Sequence, residues 1–149
     1  MQDDAIIRRV RDEHERLREI TDALNNALKQ GGGDVRAWLG NVCKSFEHFR
    51  AHLIHRIALE EIGGFLDYVV EKRPDLVKQV EHLKEGHAKM IEMAGATLAH
   101  LKELSTSDAD PRGLACTHVK IMLSEVDYHE EVENLLVVSV FNDDIGVGD

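Results

Sequence analysis

Proline is nearly absent from this chain, with two residues in 149. Cysteine is as rare, also two, and aromatic residues make up 5% with a single Trp. Each scarcity excludes something. With so little proline, and glycine mostly gathered in loops, there is no long structureless tract. Two cysteines cannot build a disulfide framework, which points to a reducing, cytoplasmic compartment. Trp38, Tyr68 and Tyr128 form no aromatic pattern that suggests a cofactor box. No apolar run approaches the roughly 20 residues a membrane span needs. The opening Met-Gln-Asp-Asp is polar and acidic, unlike a secretion signal. Cations are outnumbered, 18 Lys and Arg against 28 Asp and Glu, for a formal net charge of −10. That balance argues against nucleic acid or an anionic membrane as a partner. The length suits one domain, 1–149, with a single sizeable core.

Hydrophobic periodicity is plentiful, and its period is helical. Ile7, Val10, His14, Leu17, Thr21, Leu24 and Leu28 alternate steps of three and four, one buried stripe of a first helix. Asp3 or Asp4 can cap it, and Gly31-Gly32-Gly33 ends it. Asp34 suits the cap of a second helix with the stripe Leu39, Val42, Phe46, Phe49, Leu53, Arg56, Glu60 and Gly63, closed by Lys72-Arg73-Pro74. Pro74 suits the first turn of a third helix, whose stripe is Leu76, Val80, Leu83, His87, Met90, Ala94, Thr97 and Leu101. Ser105 to Asp110 read as a polar loop. Asp110-Pro111 opens a last helix with Val119, Met122, Val126, His129, Glu133, Leu136 and Val140 inward. Four amphipathic helices with short loops predict an all-α, up-down-up-down four-helix bundle. Gly63-Gly64 inside the second pattern predicts a close helix crossing or a break, since each glycine costs about 1 kcal/mol relative to Ala in a helix.

Histidine is abundant, with nine residues, and its placement carries the chemistry. His14 lies 42 residues before position 56 and 46 before Glu60; His87 lies 42 before His129 and 46 before Glu133. The offset between the two sets is 73, and Cys43 and Cys116 share it. The chain reads as two similar helical hairpins. His129 and Glu133, one turn apart, share a helix face, while Glu130 and Glu131 are expected to point away. His14, Glu60, His87, His129 and Glu133 all interrupt apolar stripes at about the same depth. Burying such groups unpaired costs several kcal/mol, so they call for a shared partner. A lone inward histidine is more often a hydrogen-bonded core residue, but the matched set suggests a metal site. Mixed nitrogen and oxygen ligands in a bundle core suit iron or manganese better than zinc. His48, His52 and His55 form a ladder on the second helix, either a solvated flank or a source of backup ligands. His82, His100 and His118 fall off the stripes and are expected to be exposed. Cys43 and Cys116 are expected at core edges as packing residues.

Five segments resemble one known family. They are Asp12-Glu13-His14-Glu15-Arg16-Leu17, Leu59-Glu60-Glu61-Ile62-Gly63-Gly64-Phe65-Leu66, Leu83-Lys84-Glu85-Gly86-His87, His129-Glu130-Glu131-Val132-Glu133-Asn134-Leu135-Leu136, and Phe141-Asn142-Asp143-Asp144-Ile145-Gly146. Together the chain resembles the hemerythrin-like (HHE cation-binding) domains over nearly its whole length. The resemblance implies a four-helix bundle with a non-haem di-iron centre. It gives the bridging role to Glu60 and Glu133 and the terminal-ligand role to His14, His87 and His129. Relatives bind oxygen, handle nitric oxide or peroxide, or sense iron and oxygen.

One position departs from the family pattern. Related sequences often read Arg-His-Phe-Ala-Leu-Glu-Glu where this one reads His55-Arg56-Ile57-Ala58-Leu59-Glu60-Glu61. The exchange moves an imidazole about 100° around the helix and points a permanent cation at the core. Three outcomes compete. Arg56 occupies the vacated position and pairs with Glu60 and Glu133; or one metal persists on His87, His129 and Glu133; or His52 substitutes as a ligand. His55 is a poorer substitute that would need a local π-bulge. The leading expectation is a cytoplasmic iron protein, di-iron or with one iron, that binds or senses a small diatomic ligand or peroxide. Its rival is a metal-poor bundle serving as a regulatory or interaction module. A peroxide-consuming or iron-oxidising enzyme would use the same ligands and differ only in sustained turnover. The sequence names no protein partner.

Overall fold

The computed structural model describes the backbone of residues 2–146 and the side chains of residues 5–140. It is all-helical, with no strand among the described residues. Four long helices, α1 (Gln2–Lys29), α2 (Val35–Glu61), α4 (Val77–Glu103) and α5 (Pro111–Gly146), form the body, with a short α3 (Phe65–Lys72) and a 3₁₀ turn (Pro74–Leu76) between α2 and α4. α1 packs on α2, α4 on α5, and α2 on α4. Among the described residues no helix is long and apolar enough to cross a membrane.

Local sequence explains the ends. α1 stops before the triple glycine, where Gly33 takes a left-handed φ of 86°. α1 already contains Asp3 and Asp4, so neither precedes it, and their side chains lie outside the described residues. Asp34 caps α2, its carboxylate accepting from the Arg36 amide at 3.1 Å. Arg112 ties this end to α5: it donates to the Gly33 carbonyl at 2.8 Å and lies 5.4 Å over the Trp38 ring. Asp110 opens α5 by accepting from the Gly113 amide at 3.1 Å.

Two boundaries differ from the periodic reading. The second helical pattern does not run on to Lys72; it breaks at Ile62–Gly64. Gly64 has φ 96° and starts α3, and a Cβ at Gly63 would strike the Leu59 carbonyl. The stripe position at Gly63 is therefore exposed, and Phe65, Leu66, Tyr68 and Val69 supply the buried residues beyond it. Nor does a helix begin at Pro74: Pro74–Leu76 is a 3₁₀ turn, and α4 begins at Val77.

The apolar core falls into two clusters. One gathers Leu17, Leu24, Phe46, Phe49, Leu53, Met90, Met122 and their neighbours. The other gathers Ile7, Val10, Phe65, Leu66, Val80, Leu83, Leu136 and Val140. Between them on each long helix lie polar residues: His14 on α1, Glu60 on α2, His87 on α4, and His129 and Glu133 on α5. Cys43 and Cys116 are free, half-buried, and packed against the first cluster.

Gly64→Ala should lower stability by roughly 1–2 kcal/mol, the cost of left-handed backbone for a residue with a Cβ. Gly40→Ala, at an open helical site, should not. Urea unfolding of the two variants beside the parent checks the contrast.

Candidate metal centre

Six polar or charged residues are buried among the described residues, and five belong to one layer: Arg56, Glu60, His87, His129 and Glu133, the sixth being Thr97. His14, half-buried, joins them. The helical stripes deliver these groups because each occupies a core position of its own helix.

Glu60 and Glu133 are the centre, 1% and 0% exposed. On one side of the pair stand His14 and Arg56. His14 Nε2 lies 2.9 Å from Glu133 Oε2 and 3.5 Å from Glu60 Oε1. The guanidinium reaches the same two oxygens: Nε donates to Glu60 Oε1 at 3.1 Å, and Nη2 pairs closely with Glu133 Oε2. On the other side stands His87, its Nε2 2.9 Å from Glu133 Oε1 and 3.2 Å from Glu60 Oε2. The two carboxylates thus present one oxygen each to two separate faces. His14, Glu60 and Glu133 offer a nitrogen and two carboxylate oxygens all within 4.8 Å of one another, a cluster able to hold a metal ion.

The electrostatics follow from burial opposed by pairing. Burial pushes Glu133 upward, but the Arg56 charge and contacts from Glu60, His14 and His87 outweigh it and hold its carboxyl well below the usual range. Burial pushes His87 downward, yet its bonds to Glu133 and Glu60 raise it to about 9. His14 is raised by the same two carboxylates, against burial and Arg56. A guanidinium and imidazolium protons therefore compensate the two buried carboxylates.

Not every expected ligand converges. His129 is buried, but its Nε2 turns to Glu125 at 3.4 Å, and its Nδ1 is buried with no hydrogen-bond partner. Its ring lies over Gly86, where a Cβ would overlap it. Burial lowers its pKa. His52 faces Glu13 at 3.3 Å, and His55 is exposed on the flank of α2 with its ring 6.2 Å from that of His52. Neither enters the layer. Of the remaining histidines, His48, His82 and His100 are exposed, while His118 is half-buried, its ring stacked 4.6 Å from that of His100.

Two further residues enter the site. Glu130 does not point away: it is half-buried, pairs closely with Arg56 Nη1, and lies 3.3 Å from His14 Nδ1. Its place three residues before Glu133 was the signal for it. Glu61 accepts from His87 Nδ1 at 3.2 Å, an outer contact that fixes ring orientation. Hydrophobic pattern gave no sign of it, because Glu61 lies beside the stripe.

Arg56 already pairs the two carboxylate oxygens of the His14 cluster, so guanidinium and metal would compete for them. The His14 face is filled by a guanidinium. On the other face His87 also brings one nitrogen to two carboxylate oxygens, one from Glu60 and one from Glu133. Among known proteins, no family model, no curated sequence and no solved structure matches this chain.

Two outcomes test the charge balance in chelator-treated protein. Arg56→Met should destabilise it by about 3–5 kcal/mol, the usual penalty for removing one partner of a buried ion pair, measured by urea unfolding; a loss below ~1 kcal/mol would show the guanidinium to be dispensable. The His87 pKa rises from 6.5 unfolded to about 9 folded, so its contribution is complete below pH ~6.5 and fades as pH climbs toward ~9. The urea midpoint should fall across that interval, and a flat profile there would contradict the pairing.

Proposed function

We propose that this chain is a hemerythrin-like, up-down-up-down bundle that holds one non-haem iron where the family pattern implies two, and that it binds or senses a small diatomic ligand or peroxide. The observation that carries this reading is the position of Arg56, buried at 2% exposure against Glu60, Glu133 and Glu130. A cation fixed there takes the place of one metal and repels a second cation from the same oxygens. On this reading His87, Glu60 and Glu133 hold the iron, with His129, one turn from Glu133, as the further donor. Iron would supply an open coordination position for the small ligand. The chain's own residues do the rest. The carboxylates compensate its charge, and Glu61 orients His87. A cleft of about 370 Å³ beside α1, lined by Ile6, Val10, Leu59 and Phe65 with Arg9, Glu13, Arg56 and Glu60, opens on the Arg56 side of the two carboxylates. Two free cysteines agree with the reducing, cytoplasmic setting proposed for it.

A second reading has its own support. Arg56, His14 and His87 already pair with the buried acids, so the layer is coherent without metal, as a bundle serving regulation or interaction would require.

Metal analysis of protein purified without chelator or nickel separates the readings. One iron per chain is expected, rising toward two in Arg56→His. Two irons in the parent would refute the role given to Arg56. No iron in either protein after anaerobic loading would leave the metal-free module.

A further inference from the structure

α5 carries apolar side chains on two faces. The inner face is the core stripe. The outer face exposes Leu114, Ile121, Tyr128 and Leu135, spaced by seven residues, and Val138 just beyond. Their exposures are 42%, 57%, 57%, 68% and 44%. Among the described residues only Ile62 and Val77, on other elements, are comparably exposed large hydrophobics. A seven-residue step drifts only about 20° around a straight helix, so the four form a nearly straight line. At 1.5 Å per residue that line runs roughly 32 Å. A seven-residue seam suits a second helix with the same repeat.

We infer that this line is the seam of a twofold association between two copies of the chain, α5 antiparallel to α5. The row is symmetric about a point between Ser124 and Glu125. A twofold axis there sets Leu114 against the partner's Leu135, and Ile121 against the partner's Tyr128, each twice. Ser124, exposed and small, sits at the centre and lets the helices approach. Lys120 and Asp127 flank the same edge, each one residue before a member of the row. Antiparallel pairing brings each Lys120 within a helical turn of two acids of the other copy, Asp127 and Glu131. All three are exposed.

Size and charge define what kind of association this is. One helix face about 32 Å long and ~10 Å wide covers roughly 300 Å², well below the ~800 Å² per partner of stable complexes. The dimer is therefore reversible. Each copy carries a net charge of −10, so long-range repulsion opposes association and added salt relieves it. A basic partner helix on the same face would show the opposite salt dependence.

Sedimentation equilibrium of the full chain, from micromolar to millimolar and from low to molar salt, tests this. A monomer–dimer equilibrium that tightens with salt is expected. Tyr128→Glu should abolish it with helical content unchanged by circular dichroism. Lys120→Asp and Asp127→Lys should each weaken the dimer several-fold, and the double exchange should restore part of the loss, Glu131 still facing position 120. The inference is overturned by a monomer under all conditions, by association that weakens with salt, by a dimer that survives Tyr128→Glu, or by a double exchange no better than the singles. None of these readouts depends on metal.

Discussion

Two carboxylates buried at 1% exposure or less, one from each half of the chain, are the constraint the rest of this structure answers to. An ionised carboxylate in an apolar interior is costly unless opposite charge and hydrogen bonds surround it. Glu60 and Glu133 are surrounded on both faces, by Arg56 and His14 on one and by His87 on the other. Each helix of the body supplies a member of this shell, so relative displacement of any two helices would break a charged contact as well as apolar packing. The layer also divides the core. Aliphatic and aromatic clusters above and below it pack independently of its charge, and they exclude the water that would otherwise weaken its pairs.

Arg56 gives the layer its particular character. A neutral imidazole at that position would leave the two carboxylates without their permanent counter-charge. A guanidinium is a permanent, planar cation with several N–H groups, suited to several carboxylate oxygens at once. That is how one side chain reaches Glu60, Glu133 and Glu130. On the proposed reading, a two-metal site has thereby become a site for one metal and one internal cation. Arg56 also holds Glu130 at the core's edge, where that carboxylate links it to His14.

Much of this is legible in the sequence. The four stripes identify the core residues of the long helices, and the 73-residue offset pairs His14 with His87 and Glu60 with Glu133. The inward placement of Arg56 followed from its step in the same stripe. The boundaries at Gly64 and Val77 were less legible, because periodicity continues across a break when the following element resumes the same phase. Glu130 and Glu61 were missed for a related reason. They border the stripe, and long side chains at a stripe's edge can reach inward or outward with equal ease.

The sequence by itself determined the helical class, the depth of the polar layer and those of its members that stand on the stripes, because periodicity fixes which face of a helix each residue occupies. Only the tertiary structure decided which oxygen meets which nitrogen. His129 shows the difference. Its position in the stripe is as regular as that of His87, yet its ring rests over Gly86 and turns to Glu125. A rotamer is chosen by the space and charge that neighbouring helices leave, and those are properties of packing that no single helix encodes.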